Sequence, residues 1–208
     1  MLAYTAVRPR IDLASALPLD APMALFVEPT NVCNFKCSFC PESLPDFAAR
    51  SGYYQHMTME TWGAVLSSLR SWPKMKVVRF PVEGEPLLHK HLPKMIADIA
   101  PYTERTVVTT NGSLVGRRAS ELIESGLDYL RVSVYAVTDA QYSQVTGTRA
   151  TANGIRDGVA RLRVLRGLSE RPYVDAELVM ENPTPGDVQL FREQWQGIAD
   201  ETSVVETL

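Results

Sequence analysis

The sequence has no long hydrophobic run and no surplus of charge of one sign. No stretch approaches the roughly 20 apolar residues that a membrane-spanning helix needs. At the N-terminus Arg8, Arg10 and Asp12 come before any apolar run, unlike a secretory signal. Lys and Arg number 21 against 24 Asp and Glu, a net charge of −3, which argues against a general nucleic-acid surface or a polybasic membrane surface. We therefore expect a cytoplasmic protein whose partners include neither a membrane nor a nucleic acid.

Cysteine is scarce and unusually placed. The three cysteines, Cys33, Cys37 and Cys40, all lie within eight residues. An odd number at such close spacing is poor material for a disulfide framework, and a cytoplasmic compartment keeps thiols reduced. A single nucleophilic thiol would need no two companions, so we interpret the three cysteines as metal ligands.

The rest of the composition is ordinary for a globular protein. The 208 residues are 45% hydrophobic and 22% charged, which argues against disorder, and the length predicts one domain or at most one and a half. Short β-rich runs alternate with amphipathic helical windows, a pattern typical of a parallel α/β sheet. The predicted strands are 24–28, 77–82, 106–109, 129–134, 173–179 and 203–205.

Apolar residues at helical spacing predict helices between the strands. Thr58 is the expected N-cap of the first helix, Gly126 is expected to end the third, and the last helix is expected over 187–197. The residues that define these helices are Met59, Trp62, Val65, Leu66 and Leu69; Leu92, Met95, Ile96 and Ile99; Leu114, Ala119, Leu122 and Ile123; Ile155, Val159, Leu162 and Leu165; and Phe191 and Trp195.

The number of β-α units predicts the fold. About five and a half units fall short of the eight in a closed barrel. We therefore predict an α/β partial (β/α)6 open barrel with parallel strands, and a doubly wound sheet is the runner-up on periodicity alone. Residues 1–22 are expected to form an N-terminal arm and residues 23–208 the core domain. Because the sequence stops at a strand with no helix to cover it, we expect a fragment of a longer protein.

Unusual polar residues follow five of the predicted strands. The carboxyl ends of parallel strands build the active sites of such folds, because their loops converge on one face. Five polar clusters on one rim therefore predict a functional site there. They are the three cysteines, Glu83-Gly84-Glu85-Pro86, Thr110-Asn111-Gly112, the pair Ser133 and Tyr135, which point to the same side, and Asn182.

Three thiolates at spacings of four and three leave two kinds of metal site open. A structural zinc site has four protein ligands, so the fourth would have to be one of the distant histidines, His56, His89 or His91. A [4Fe–4S] cluster normally takes four cysteines, so three leave one iron without a protein ligand. An open coordination position is how metal sites bind and activate a small molecule, which favours a catalytic cluster.

The cysteine segment and the second strand end carry a family resemblance. Cys33-Asn34-Phe35-Lys36-Cys37-Ser38-Phe39-Cys40 resembles the CxxxCxxC loop of the radical S-adenosylmethionine (SAM) superfamily, with an aromatic residue before the third cysteine, and Gly84-Glu85-Pro86 resembles the family's GGEP motif. The resemblance extends over essentially the whole chain. It is nearest to the SPASM/twitch-type branch, although no further cysteines are present for auxiliary clusters. Two departures are Glu83, in place of the first glycine of GGEP, and Tyr135, where relatives often carry an acidic residue.

The resemblance implies a radical SAM enzyme with two cofactors. A [4Fe–4S] cluster would be held by Cys33, Cys37 and Cys40, and SAM would bind its open iron. Reductive cleavage of SAM would give a 5′-deoxyadenosyl radical that abstracts hydrogen from a peptide, sugar or small-molecule substrate, with the electron coming from a donor such as flavodoxin or ferredoxin. The family's SAM contacts correspond to Phe39 beside the adenine, Gly84, Glu85 and Pro86 at the amino group, Ser133 at the ribose or carboxylate, Arg149 at the carboxylate, and Asn111 and Asn182 along the pocket.

Two other interpretations of the cysteines stay open. One is a non-catalytic zinc or iron–sulfur binding module, and the other is an electron-transfer protein, which would normally want a fully ligated cluster. Neither gives a role to Glu85 or Asn111 on the rim, and that favours the enzyme. A surface position is an equal expectation for Arg149. Turn formation is the alternative role for Asn111 and Asn182, since Asn tolerates tight loops. The sequence assigns no catalytic residue beyond the cluster ligands, and no substrate.

Overall fold

The computed structural model describes residues 14, 17–47, 49, 52, 54–80 and 83–207, with only the backbone of 206 and 207. Most of the predicted N-terminal arm, 1–22, lies outside the described residues, so the boundary at residue 22 stays a prediction. The last two residues of the predicted strand 77–82, Pro81 and Val82, also lie outside the described residues. Within the described part of the chain, no helix has the length and apolar character needed to cross a membrane.

The described strands form one six-stranded parallel sheet in sequential order. They are β1 (Ala24–Phe26), β2 (Val77–Phe80), β3 (Thr106–Thr110), β4 (Tyr129–Val134), β5 (Tyr173–Glu181) and β6 (Glu201–Thr207). Each strand pairs in parallel with the next, and no pairing joins β1 to β6 among the described residues. The predicted partial, open barrel is confirmed. The doubly wound alternative is wrong, because its strand order would reverse at a switch point and this order does not.

Helices connect the strands on the outer side of the sheet. They are α1 (Met59–Leu69), α2 (Leu92–Ile99), α3 (Val115–Glu124), α4 (Asp139–Thr146), α5 (Ala152–Arg166) and α6 (Pro185–Trp195). Thr58 caps α1 as predicted, since its hydroxyl accepts the Thr61 N–H. The last helix begins two residues earlier than predicted because Thr184 and Asp187 form a capping box. Helix α4 was not predicted from the sequence.

Alternation along the strands separates an apolar face from a polar one. Val78, Phe80, Leu130 and Val132 are fully buried against the helices. The alternate residues on the opposite face carry charge: Arg131 on β4 bonds Asp175 at 3.1 Å and pairs with Glu177 at 3.1 Å. The hydrophobic core therefore lies between sheet and helices, while the inner face of the partial barrel is polar.

Helices α3 and α5 approach each other to backbone contact. A Cβ placed on Gly116 would lie 2.9 Å from the Gly158 Cα, which real Cβ atoms essentially never tolerate. At the start of the same connection Gly112 has φ +80°, and a Cβ there would meet Ile155 at 2.6 Å and Val132 at 2.8 Å. Glycine at these positions lets the segment that follows β3 lie tightly on α5.

Candidate cofactor site

A cleft of about 200 Å³ opens at the carboxyl ends of the strands. It brings together eight of the eleven predicted site residues: Cys33, Cys37, Cys40, Phe39, Gly84, Glu85, Asn111 and Ser133. Phe35, Glu42, Thr109, Thr110 and Tyr135 complete the lining. Residues far apart in sequence therefore meet here because each directly follows or ends a strand of the same parallel sheet.

Backbone hydrogen bonds hold the cysteine loop in place. The Lys36 N–H donates to the Thr146 carbonyl and the Ser38 N–H to the Val145 carbonyl, both at 2.9 Å. Both acceptors belong to the last turn of α4, whose final carbonyls have no partner within the helix. The unpredicted helix α4 thus supports the loop that carries the cysteines.

Aromatic packing also holds the cysteine loop in place. Phe35 is buried, and its ring lies edge-on to Tyr135 at 6.2 Å and to Tyr142 at 6.3 Å between centroids. Phe39, by contrast, is half-exposed and lies 5.5 Å from the Tyr135 ring. One aromatic residue of the loop is therefore used for packing, and the other faces the cleft beside Tyr135.

The three thiols are free and partly desolvated. Burial raises the pKa of Cys33 to about 11 and that of Cys37 to about 12, where the other two cysteines add to the shift. Burial also raises the pKa of Cys40. Metal ligands must be thiolates, so ligation at neutral pH has to release these protons.

The surroundings of the sulfur atoms suit metal-bound thiolates. Cys33 Sγ accepts the Phe35 N–H at 3.4 Å and lies 3.9 Å from Asn111 Nδ2. Such donors stabilise negative charge on sulfur. Among the residues that the structure describes, no three His, Cys, Asp or Glu side chains are arranged to hold a single metal ion. Three free thiols around one cleft, with N–H donors beside Cys33 Sγ, would suit the three protein ligands of a [4Fe–4S] cluster.

The loop after β2 packs directly on the backbone before the cysteines. Gly84 has φ +68°, and a Cβ on it would lie 2.4 Å from the Thr30 carbonyl oxygen, so only glycine fits. The Glu85 N–H donates to the Val32 carbonyl at 2.8 Å. The Gly84 N–H donates to a carboxylate oxygen of Glu42. The close contact with Thr30 therefore requires glycine at position 84, the second glycine of the GGEP motif. Glu83 occupies the position of the first glycine.

Internal hydrogen bonds occupy both oxygens of the Glu85 carboxylate. One oxygen accepts the Thr110 hydroxyl at 2.6 Å and the Leu87 N–H at 3.0 Å, and the other accepts the Asn111 N–H at 2.7 Å. Burial raises its pKa to about 7 even though these three donors act to lower it. Glu85 therefore ties the loop after β2 to the end of β3.

The Asn111 side chain also joins two loops. Its Nδ2 donates to Asn34 Oδ1 at 2.9 Å, and its Oδ1 accepts the Ser113 hydroxyl at 2.6 Å and the Ser113 N–H at 3.0 Å. The predicted turn-forming role of Asn111 is therefore present, together with a link to the cysteine loop. Ser133 is buried and borders the cleft at the end of β4.

Three predicted SAM contacts do not line the cleft. Pro86 is buried as the first residue of the short 3-10 turn Pro86–Leu88. Arg149 is exposed, as the alternative of a surface arginine expected. Asn182 is exposed and has φ +49°, so it forms the turn after β5 that the alternative for this residue expected. Their assignment as SAM contacts stays a prediction, although none of the three is among the residues that line the cleft.

Sequence reasoning missed Glu42. This residue lies in the 3-10 turn Pro41–Ser43 directly after the third cysteine, is buried, and borders the cleft. Burial raises the pKa of its carboxyl, against the lowering effect of the Gly84 N–H. Pro41 at the start of the turn was the only sequence signal, and it predicts the turn without predicting where the carboxylate points.

Comparison with known proteins identifies the family of the chain. A family model described as the Radical SAM superfamily matches residues 27–170, more than half of the chain. The chain belongs to the radical SAM superfamily. The resemblance read from the cysteine loop and the Gly84-Glu85-Pro86 segment is thereby confirmed, and so is the expectation of an enzyme family whose cofactors are a [4Fe–4S] cluster and SAM.

A curated relative is similar to the chain in sequence, and solved structures are similar to it in fold. The probable GTP 3′,8-cyclase of Metallosphaera sedula is 32% identical over 161 residues, covering 73% of this chain and 49% of that protein. The structure of Streptococcus suis SuiB bound to S-adenosylmethionine superposes with a TM-score of 0.69 at 15% identity, covering 89% of this chain and 40% of SuiB. SuiB bound to its precursor peptide SuiA gives 0.70 at 16% identity, with 92% and 41% covered. The chain spans about half the length, or less, of the curated relatives it matches.

Proposed function

We propose that this chain is the SAM-cleaving part of a radical SAM enzyme, with Cys33, Cys37 and Cys40 as ligands of a [4Fe–4S] cluster and SAM in the adjoining cleft. The observation that carries the proposal is the convergence of three free thiols with Gly84 and Ser133 on one cleft. The electron comes from a protein donor such as flavodoxin or ferredoxin. The substrate, a peptide, sugar or other small molecule, approaches from the open side of the partial barrel.

Each part of the chain has a task in this proposal. When bound, the cluster and SAM supply the one-electron cleavage of the sulfonium and the hydrogen abstraction that follows. The α4 terminus and Phe35 fix the cysteine loop, so that the three thiolates are held in position. Glu85 and Asn111 fix the two neighbouring loops, so the walls of the cleft are set before any ligand arrives. Phe39 and Tyr135 shield the cleft from water on its outer side.

Anaerobic reconstitution tests the proposal. We expect the chain to take up about four irons with matching sulfide, as a cubane cluster requires, and to form 5′-deoxyadenosine when dithionite and SAM are added. Iron analysis, the visible absorption spectrum and chromatography of the products measure this. A preparation that holds one tightly bound zinc and no iron would support the zinc-module alternative instead. A full cluster that leaves SAM intact would support the non-catalytic iron–sulfur alternative.

GTP is the first substrate to examine, because of the names of the curated relatives. A chamber of about 400 Å³ adjoins the cleft through Phe39 and Tyr135, and its polar lining includes Ser38, Gln141, Gln144 and Glu181. No Lys or Arg is among the described residues that line either space. A triphosphate normally requires cationic donors.

We therefore expect this chain to bind GTP with a Kd weaker than about 1 mM, corresponding to less than about 4 kcal/mol of binding free energy. Equilibrium dialysis of GTP against the reconstituted, SAM-loaded chain measures this. The full-length Metallosphaera sedula relative serves as the comparison protein in the same assay. Micromolar binding by this chain would contradict the prediction and would point to a cationic site elsewhere on it.

A further inference from the structure

Tyr135 lies between the cofactor cleft and the chamber that adjoins it. Among the described residues, only Phe39 and Tyr135 border both spaces. The two side chains differ in chemistry, because the Phe39 ring can only pack, whereas the phenol of Tyr135 also carries an O–H group. Exclusion of water does not require that O–H group, since Phe39 lacks one. The phenol of Tyr135 is therefore available for a chemical task at the boundary of the two spaces.

Packing holds the Tyr135 ring in one position. Its centroid lies 6.2 Å from that of Phe35, 5.5 Å from that of Phe39 and 6.0 Å from that of Tyr142. Tyr135 directly follows the last residue of β4, and it points to the same side as Ser133 because side chains alternate along an extended chain. A group that is held by a strand end and three neighbouring rings is preorganised for chemistry.

The phenol end of Tyr135 faces the cofactor side and is protonated. Burial raises its pKa well above the ordinary value, and the nearby Cys37, Tyr142 and Glu85 add to the rise. A hydrogen bond with the Ser133 side chain acts in the opposite direction. A phenol is protonated at neutral pH even at its ordinary pKa of about 10. The O–H hydrogen is therefore present close to Cys37, one of the proposed cluster ligands.

Among the described lining residues of the two spaces, no other group offers such a hydrogen. They include no Trp, and all three thiols of the chain become thiolates when they hold the cluster. Hydroxyl groups of Ser and Thr and amide groups hold their hydrogens far more tightly than a phenol does. What remains is hydrogen bound to carbon, which does not exchange with water. The hydrogen of Tyr135 is thus both easily abstracted and replaced from solvent.

We propose that Tyr135 is a catalytic residue that donates the hydrogen atom of its phenol to a carbon-centred radical formed where the cleft meets the chamber. This inference rests on the proposed function, since SAM cleavage must supply the radical. The phenolic O–H bond breaks, a C–H bond forms, and a phenoxyl radical stays on Tyr135. One electron from the donor that also reduces the cluster, together with one proton from water, restores the phenol.

The direction and the outcome of this step follow from bond strengths. A phenolic O–H bond is weaker than the C–H bond of an alkyl group, so the transfer to an alkyl radical is favourable. A substrate radical that receives this hydrogen ends with a new C–H bond instead of losing an electron. The reaction class that fits Tyr135 is therefore a rearrangement, an epimerisation or a bond cleavage that closes on carbon, with one SAM consumed in each cycle.

A substrate-free reaction tests the proposal with a known radical. The reconstituted chain cleaves SAM in D₂O with dithionite and no substrate, and the 5′-deoxyadenosyl radical serves as the probe. The phenol of Tyr135 then carries deuterium, whereas the carbon-bound hydrogens of the chain do not. Mass spectrometry of the 5′-deoxyadenosine reports which kind of hydrogen the radical took.

Tyr142→Phe is the matched control for Tyr135→Phe. Both substitutions remove one phenolic oxygen and keep the ring that packs on Phe35. Tyr142 is fully buried, its hydroxyl has no hydrogen-bond partner among the described residues, and it lines neither space. Iron content and the Kd of SAM are measured for all three chains. Electron paramagnetic resonance is recorded on samples that are reduced with one electron equivalent and frozen after mixing with SAM.

We expect most of the 5′-deoxyadenosine from the wild-type chain to carry deuterium. Competing donors divide a radical according to their barriers, so Tyr135→Phe should lower the deuterated fraction about tenfold, whereas Tyr142→Phe should leave it within about twofold of wild type. Iron content and the Kd of SAM should stay within about twofold of wild type in both variants. The frozen samples should show a phenoxyl radical in the wild-type chain and in Tyr142→Phe but not in Tyr135→Phe.

Several results would overturn the inference. One is 5′-deoxyadenosine from the wild-type chain that carries no deuterium, and another is a deuterated fraction that is unchanged in Tyr135→Phe or lowered equally in Tyr142→Phe. A phenoxyl radical that is absent from the wild-type chain or persists in Tyr135→Phe would do the same. Loss of iron or of SAM binding in Tyr135→Phe would assign Tyr135 a structural role instead. If the wild-type chain forms no 5′-deoxyadenosine at all, the proposed function fails, and that result is distinguishable from all of these.

Discussion

Replacing Cys37 with alanine is expected to leave the chain unable to retain its cluster and to reduce 5′-deoxyadenosine formation by more than about a thousandfold, over 4 kcal/mol of activation free energy. Cys37 is the most buried of the three thiols. With two thiolates left, a four-iron cluster would have two irons without protein ligands. Iron and sulfide analysis after anaerobic reconstitution and desalting, followed by product chromatography, measures the effect.

The matched control for Cys37→Ala is Ser38→Ala. Ser38 is the next residue in the same loop, its side chain is exposed, and the backbone bond from its N–H to the Val145 carbonyl survives the substitution. We expect Ser38→Ala to retain a full complement of iron. Full iron retention by Cys37→Ala would contradict the ligand assignment, and equal loss in both variants would mean that the loop is merely fragile.

The second large effect is expected for Glu85→Gln, and it concerns stability. A glutamine has one oxygen and one NH₂ group, so it cannot accept all three donors that now converge on the carboxylate. Leaving a buried donor without an acceptor costs about 1–3 kcal/mol of unfolding free energy. Chemical denaturation of the metal-free chain, monitored by circular dichroism, measures the loss.

The pH dependence of this loss follows from the raised pKa of Glu85. The ordinary value is 4.5 and the folded-state pKa is about 7, so between these pH values the folded chain binds more protons than the unfolded chain. The contribution of protonated Glu85 is fully present below pH 4.5 and is lost as pH rises through 7. Glu85→Gln has no such titration.

The advantage of wild type over Glu85→Gln should therefore be about 2–3 kcal/mol larger at pH 5 than at pH 8. The comparison isolates Glu85 because other carboxyl groups with raised pKa values, such as Glu42 and Glu177, are present in both proteins. Glu60→Gln, on the exposed first turn of α1, controls for the general effect of removing a charge. A pH-independent difference would contradict the shifted pKa.

Most of the sheet could be predicted from the sequence, since the strands are short runs rich in apolar, aromatic or β-branched residues between turn signals. Strand β4 has the predicted bounds, Tyr129–Val134, whereas β5 and β6 extend beyond their apolar centres. Helix α4 was not predicted because it has too few apolar residues to show a helical stripe. Its sequence is Asp-Ala-Gln-Tyr-Ser-Gln-Val-Thr. Its Thr138 cap and its packing through Tyr142 stabilise it instead.

The part of the candidate site that lies at the ends of strands could be predicted from the sequence. The cysteines, Gly84, Glu85, Asn111 and Ser133 meet because parallel strands share one functional edge. The sequence does not reveal which polar groups are already satisfied by their neighbours. Glu85 and Asn111 bond other parts of the chain. Glu42, which the sequence did not single out, accepts the Gly84 N–H through Oε1, and no described residue donates to its Oε2.

The glycine contact between α3 and α5 links the outer helices to the position of the cofactor site. Gly116 and Gly158 touch through their backbones, and Gly112, one residue from Asn111, is wedged against Ile155 of α5. A methyl group added to either helical glycine would push the two helices apart and displace the segment that carries Asn111. Substitutions at the outer contact between α3 and α5 are therefore expected to alter the cofactor cleft on the other side of the sheet.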